Sequence, residues 1–166
     1  MTQIDDKTSG PSLERGQIIP AFSLPGTDGM PHSPWDYKQR EHLLLIFCYG
    51  TTQKGHNLLQ GFAQHYRELR EERCALLAIT AAPVMTNLQT SEELRLPFPL
   101  LADVNRQTIQ HYTYYDVHST QFKPCIVLAD RYNALYERWI EHDETDLPES
   151  TDILASLQYM NNLCTP

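Results

Sequence analysis

The clearest pattern along the chain is a set of short, continuous apolar stretches separated by polar segments. Three of them, residues 43–49, Cys74–Thr80 and Cys125–Ala129, hold mostly apolar residues without alternation. Such continuous runs are typical of strands that are covered on both faces. A fourth stretch, Leu135–Ile140, alternates and follows a turn at residues 130–133, which predicts a hairpin with the third strand. Residues 100–103 predict a further short extended piece.

Helical periodicity fills the segments between these strands. After a polar loop at residues 50–55, apolar residues recur at spacings of three and four, which predicts one long amphipathic helix. Its predicted apolar stripe is Leu58, Leu59, Phe62, Tyr66 and Leu69. Further helices are predicted at about 84–94, at 105–112 and around residues 153–160, with a single helical turn at residues 34–38. Strands and helices in this order predict an α/β sandwich with a mixed sheet.

The length of 166 residues fits a single domain. The first fifteen residues are polar and predict a flexible arm. We expect one folded domain over residues 16–160 and a short C-terminal tail over residues 161–166. The sequence contains no internal repeat and no low-complexity segment that would indicate a different organisation.

Composition and charge exclude several classes of function. The chain has 13 Lys plus Arg against 21 Asp plus Glu, a formal charge of −8, whereas nucleic-acid binding needs a basic face. No apolar stretch approaches the roughly 20 residues of a membrane helix, and the N-terminus lacks the features of a signal peptide. We therefore expect a soluble, cytoplasmic protein without a transmembrane segment. Neither a metal nor a cofactor is expected, because the seven His residues are dispersed and the Cys residues form no C-x-x-C pair.

Several ordered segments together resemble the peroxiredoxin (AhpC/TSA) branch of the thioredoxin fold. They are residues 20–25 followed by Asp28 and Gly29, residues 96–103, residues 112–116 and residues 124–130. The resemblance covers about residues 16–157. It implies a thioredoxin-like three-layer sandwich, in which helices flank a central mixed β-sheet.

The resemblance also locates a reaction centre between the first long strand and the long helix. There the family has a proline, three residues, a threonine, two residues and the peroxide-reacting cysteine. In this chain Tyr49, Gln53 and His56 stand at those three positions. Alignment on the thioredoxin dithiol motif puts Thr52 and Gly55 where the cysteines would lie. Neither register places a cysteine in this loop.

These replacements predict that the ordinary peroxidase chemistry is lost. A cysteine at a helix start is stabilised as the thiolate by free N–H groups and the helix dipole. A histidine such as His56 cannot form the sulfenic acid of that reaction. The family also has a guanidinium near the start of the later strand, where this chain has Pro124 with Lys123 beside it.

We first predict a non-catalytic peroxiredoxin-like protein that binds a protein partner or a second copy of itself. Its candidate contacts are the aromatic residues Trp35, Tyr37, Tyr112, Tyr114 and Tyr115. An alternative is a thiol-dependent antioxidant oxidoreductase that uses a displaced cysteine, Cys125 or Cys48. Cys125 is the candidate catalytic residue because it follows Pro124, in a loop that faces the reaction centre in thioredoxin-like folds.

The remaining interpretations are less specific. A small ligand is a second alternative, bound in the vestigial pocket or, if anionic, by residues 51–54 at the helix start. His56 is a candidate base or ligand, but a histidine with only a structural role fits the same position. Cys74 is expected to be inert in the core, and Cys164 to lie exposed in the tail. The acidic residues 141–146 lack the spacing of a calcium loop and predict a solvated connection.

Overall fold

A five-stranded mixed sheet forms the centre of the structure, a computed structural model that describes residues 11–163. Its strands are β3 (His42–Phe47), β4 (Cys74–Thr80), β5 (Leu100–Ala102), β6 (Cys125–Ala129) and β7 (Leu135–Ile140), in the order β5-β4-β3-β6-β7. β3 pairs in parallel with β4 and antiparallel with β6, and β6 and β7 form the predicted hairpin. A separate two-stranded sheet joins β1 (Leu24–Pro25) to β2 (Pro31–His32).

The helices also follow the predicted order, with one difference. They are α1 (Gln53–Gln64), α2 (Tyr66–Glu71), α3 (Val84–Leu94), α4 (Gln107–Tyr112) and α5 (Ser150–Leu163), with a 3₁₀ turn at Pro34–Tyr37 capped by Ser33. The predicted single long helix is two helices, because His65 adopts φ −110° and ψ 15° between α1 and α2. Within residues 11–163, no helix is long and apolar enough to cross a membrane.

Two hydrophobic clusters pack on opposite faces of the sheet. Alternate residues of β3 separate cleanly, because successive side chains of a strand point to opposite faces. Leu43, Leu45 and Phe47 join Tyr112 of α4 in one cluster, and all are fully buried. The intervening residues of β3 join side chains of α1, α2 and α5 in the other, including Leu59, Phe62, Leu69 and Leu157. The architecture is therefore the predicted three-layer α/β sandwich.

The segment before β3 covers both edges of the central sheet. Gly16 N–H donates to Leu135 O at 2.7 Å, and Leu135 N–H donates to Gln17 O at 2.8 Å, at the start of β7. At the opposite edge Thr27 N–H donates to Leu100 O of β5 at 3.0 Å. Between these contacts the side chains of Ile19, Phe22 and Leu24 are buried in the core. This edge-closing segment, residues 16–27, is therefore an integral part of the domain.

The folded part of the chain extends beyond both ends of the predicted domain, residues 16–160. Leu13 packs against the core and Arg15 Nε donates to Tyr136 O at 2.9 Å, so part of the predicted arm is bound to the sheet. Arg138 holds the chain further upstream by donating to Pro11 O at 2.7 Å. At the other end α5 continues to Leu163, which makes the first residues of the predicted tail helical. The rest of the arm and Cys164 lie outside the described residues.

Candidate functional site

The loop between β3 and α1 leads into a capped helix start. Thr52 is the N-cap residue, and its Oγ1 accepts a hydrogen bond from Gly55 N–H at 3.1 Å. The same hydroxyl donates to Tyr49 O at 3.3 Å. A threonine cap satisfies one of the free N–H groups that every helix start exposes. The donors of α1 are therefore partly used within the chain.

Gly55 lies against the backbone of this loop. A Cβ atom at this position would stand 1.8 Å from Tyr49 O, far inside any contact that real Cβ atoms make. Gly55 has an ordinary helical conformation, so its φ angle would allow any residue. A glycine is needed because a side chain would not fit. Position 55, where the thioredoxin register would place a cysteine, therefore admits no side chain in this backbone.

His56 turns back onto the loop instead of pointing into a cavity. Its Nε2 lies 2.8 Å from Gly50 O, which fixes Nε2 as the protonated nitrogen. Thr90 Oγ1 of α3 donates to the same carbonyl at 3.2 Å. The imidazole and the hydroxyl together satisfy a buried carbonyl, the role that buried polar groups normally fill. The arrangement supports the structural interpretation of His56.

Tyr49 connects the loop to two other segments. Its backbone N–H donates to Glu144 Oε1 at 3.0 Å. Its phenol donates to Phe122 O at 2.8 Å, accepts from Phe122 N–H at 2.7 Å, and stacks on the Phe122 ring with centroids 4.3 Å apart. Burial raises the pKa of the Tyr49 phenol, so the group stays protonated and can donate. This tyrosine fixes the loop between the acidic segment and residue 122.

The carboxylate of Glu144 corrects the interpretation of residues 141–146 as a solvated connection. The residue is only 5 % exposed and lies in a 3₁₀ turn, Glu144–Asp146. Asp143, which caps this turn, also pairs with Lys54 Nζ at 2.8 Å. That ion pair raises the pKa of Lys54 and lowers that of Asp143. The segment packs on the start of α1 because its side chains satisfy donors there.

An open groove with a volume of about 850 Å³ runs beside Tyr49. We call it the tyrosine groove; its walls include Tyr49, Tyr114, Tyr115, Val117, Phe122 and Lys123. The Lys123 ammonium lies 4.7 Å from the centre of the Tyr114 ring, a cation–π contact. Val117 is 65 % exposed, and Tyr114 and Tyr115 are half-buried. Tyr112, by contrast, is a fully buried core residue and is excluded as a surface contact.

Comparison with known proteins establishes the family. The model of the AhpC/TSA family matches residues 15–138. The chain therefore belongs to the AhpC/TSA family. A search of curated protein sequences returned no match.

Solved structures of a peroxidoxin, an AhpC and a thiol peroxidase share the fold at low sequence identity. Peroxidoxin BcpB from Mycobacterium tuberculosis is 18 % identical with a TM-score of 0.77, and the alignment covers 90 % of this chain and 99 % of that one. AhpC from Enterococcus faecalis is 14 % identical with a TM-score of 0.81, covering 92 % and 95 %. A thiol peroxidase from Chromobacterium violaceum is 17 % identical with a TM-score of 0.74, covering 93 % and 91 %. These likenesses concern the fold.

The seven residues predicted to form a vestigial AhpC/TSA pocket do not line one cavity. Tyr49 and Lys123 line the tyrosine groove. Thr52, Gly55 and His56 make contacts inside the loop, as described above. Gln53 Nε2 donates to Asn57 Oδ1 at 2.9 Å on the exposed face of α1. Pro124 is buried, follows a trans peptide bond and accepts from Glu141 N–H at 3.1 Å.

The cysteines of this AhpC/TSA chain lie in the core wherever the structure describes them. Cys48, Cys74 and Cys125 are free and fully buried. Burial raises the pKa of Cys125 to about 12, although the nearby Arg138 guanidinium acts in the opposite direction. Burial also raises the pKa of Cys48, with the Glu144 carboxylate adding to it. Reactive thiols need exposure and a lowered pKa, and neither Cys48 nor Cys125 has them.

Some residues of the site carried no recognisable sequence signal. Glu144 sits in an acidic run that looks like a surface loop, and only its contact with Tyr49 distinguishes it. Arg106, at the start of α4, is close enough to lower the pKa of Tyr49 against the effect of burial. Both come from segments distant in sequence from residue 49. Among residues 11–163, no three His, Cys, Asp or Glu side chains are arranged to hold a metal ion.

Proposed function

We propose that this chain is a non-catalytic AhpC/TSA protein that binds a protein partner through the tyrosine groove. The observation that carries the proposal is the start of α1, where no thiol stands and the polar side chains are used internally. Thr52 caps the helix, Gly55 has no room for a side chain, and His56 holds a carbonyl. Donors without a nucleophile have no peroxide chemistry to assist.

The groove beside this loop has the character of a protein-binding surface. Aromatic residues are enriched in protein interfaces, where Tyr supplies large contact area at low entropic cost. Here Tyr114 and Tyr115 stand half-buried next to the exposed Val117, so part of their apolar surface is already fixed in position. Lys123 adds a positive charge at the wall. We infer a partner segment with an apolar anchor and an acidic side chain.

A photo-crosslinking amino acid at position 117 tests this proposal in the native host cell. The matched control is the same substitution at position 104, because Val104 is 54 % exposed and does not line the groove. We expect a defined adduct from position 117 only. The purified partner is either another protein or a second copy of this chain. It should bind the Val104→Glu variant as tightly as wild type and bind the Val117→Glu variant more weakly. Equal adducts at both positions would contradict the proposal.

A small apolar ligand is the second candidate occupant of the same groove. Its volume of about 850 Å³ falls in the range of small-molecule pockets, roughly 300–1,000 Å³. The fluorescent dye anilinonaphthalene sulfonate is a suitable probe, since it binds exposed apolar sites. This alternative predicts saturable dye binding that Val117→Glu removes and Val104→Glu preserves, in protein that forms no adduct with a macromolecule.

The thiol oxidoreductase alternative has less support. It requires Cys125 or Cys48 to react with a peroxide, and both thiols are buried with raised pKa values. Peroxide consumption in the presence of a thiol reductant would test it directly. Turnover that disappears in Cys125→Ser would favour this alternative over the binding function.

A further inference from the structure

Three arginines and a buried histidine line a small pocket at the opposite end of the sheet from the α1 loop. The pocket has a volume of about 60 Å³ and is bounded by Arg40, His42, Arg73, Arg131 and Asn161. Arg40 and Arg73 come just before β3 and β4, and Arg131 follows β6. The topology brings them together because parallel β3 and β4 begin at the edge of the sheet where antiparallel β6 ends. We call this the arginine pocket.

Within residues 11–163, no ion pair neutralises the arginine charges. All three side chains are on exposed residues, and within residues 11–163 none has a carboxylate in ion-pair distance. Arg131 lies over the ring of Tyr132, a contact that leaves its charge intact. Like charges gathered at one pocket repel each other, so the arrangement is stabilised by an anion between them.

The acidic residues near the pocket are already engaged. Glu41 pairs with Arg70 at 2.6 Å, and Glu71 with Arg67 at 3.4 Å. Glu72 Oε2 accepts from Asn161 Nδ2 at 2.8 Å, so this carboxylate lies nearest to the pocket and acts against an anion there. Three guanidinium groups against one carboxylate leave a positive balance.

A buried nitrogen of His42 is a second, independent observation that points to a ligand in the arginine pocket. The residue is 7 % exposed, and its Nε2 lies 2.7 Å from Asn161 Oδ1. Asn161 Nδ2 donates to Glu72, so Asn161 Oδ1 accepts and His42 Nε2 carries the proton. Its Nδ1 is therefore a lone-pair acceptor that is buried without a hydrogen-bond partner, and the hydroxyl of a protonated phosphate can donate to it. A buried polar nitrogen without a partner costs free energy, and such atoms are rare in native proteins.

We propose that the arginine pocket binds a phosphate group. Guanidinium forks match the geometry of phosphate oxygens and hold them by charge-assisted hydrogen bonds. The volume of about 60 Å³ has room for one tetrahedral oxyanion and not for the remainder of a larger molecule, which would extend into solvent. Free inorganic phosphate and a phosphate monoester share this chemistry. The site is separate from the tyrosine groove and does not depend on the proposed function.

Calorimetric titration at low salt tests the proposal, with inorganic phosphate and phenyl phosphate as the two probes. We expect binding of at least one probe in the millimolar range or tighter, weakening as salt is added. Binding of both identifies a phosphoryl group on an ester as a permitted source, whereas binding of inorganic phosphate alone identifies the free ion. Absence of binding heat with both probes would overturn the proposal.

Single substitutions locate the site. Arg73→Gln and Arg131→Gln should each weaken binding by about tenfold, the usual effect of one hydrogen bond to a charged group. Arg95→Gln is the matched control, because it removes the same charge from an exposed arginine that does not line the pocket and forms no ion pair within residues 11–163. This control should change the affinity by less than about twofold. An Arg95→Gln effect equal to that of Arg131→Gln would show nonspecific charge attraction and overturn the site.

Discussion

The glycine at position 55 allows a sharp test of how the α1 loop is built. Gly55 and Gly61 both lie in α1, yet a Cβ at position 55 would meet Tyr49 O at 1.8 Å while a Cβ at position 61 would meet nothing within 4 Å. Gly55→Ala must therefore push Tyr49 O away by more than 1 Å to reach an allowed contact of at least 3.0 Å. Gly61→Ala requires no movement.

The magnitude follows from the contacts that this movement disturbs. Displacing the loop weakens the Thr52 cap, which costs about 1 kcal/mol, and strains the packing by about 1–3 kcal/mol. It also pulls Tyr49 N–H from the buried Glu144 carboxylate, which costs about 1–3 kcal/mol. Gly55→Ala should thus lower the free energy of unfolding by about 3–7 kcal/mol. Gly61→Ala should raise it by about 0.5–1 kcal/mol, the ordinary gain for replacing Gly within a helix.

Urea unfolding followed by circular dichroism measures the free energy of unfolding of both variants and wild type. Thermal unfolding followed by the same signal measures their Tm. In a domain of this size 1 kcal/mol corresponds to a shift in Tm of about 2–4 °C. The Gly55→Ala melting temperature should therefore fall by roughly 6–28 °C. The reasoning is refuted if Gly55→Ala is as stable as wild type, since the loop would then have room for a Cβ.

Three further predictions concern chemistry and pH. Reduced protein should consume hydrogen peroxide no faster than free cysteine does, and His56→Cys alone should restore little; peroxidase-like rates in stopped-flow would contradict the family alignment. Cys48, Cys74 and Cys125 should react with a thiol reagent only after denaturant is added, because burial raises the pKa of each; rapid labelling of any of them, located by peptide mass, would contradict their burial. Burial raises the pKa of Tyr37 to about 12, so its contribution to stability is present below the unfolded pKa of about 10 and is lost between pH 10 and 12; Tyr37→Phe should flatten the alkaline fall in urea midpoint, and an unchanged slope would argue against it.

Much of the fold could be predicted because its strands are buried on both faces. Continuous apolar runs predict β4 and β6 with the observed bounds, the alternating stretch predicts β7, and the α3 range also agrees. The break at His65 could not be predicted, since the apolar stripe continues across it. Its hydrogen bond to Ser150 Oγ at 2.8 Å comes from α5, far along the chain.

The candidate site was less accessible to sequence reasoning. A resemblance indicates which loop holds the reaction centre, but the use of His56 as a donor to Gly50 O depends on a local turn of the side chain. The sequence indicates Tyr114 and Tyr115 as candidate contacts, but the tyrosine groove combines them with Tyr49, which is distant along the chain. The arginine pocket likewise needs the sheet to bring Arg40, Arg73 and Arg131 together.

The edge-closing segment bears on how the central sheet is protected from aggregation. An open sheet edge offers unpaired backbone groups on which strands of other molecules polymerise. Residues 16–18 pair with the start of β7, and residues 26–27 pair with β5. One stretch of chain therefore contacts both edge strands of the central sheet. Loss of this stretch by proteolysis would expose backbone groups at both edges of the central sheet. A molecule with two exposed edges can pair on both sides, which is the geometry required for fibre growth and not merely for dimers.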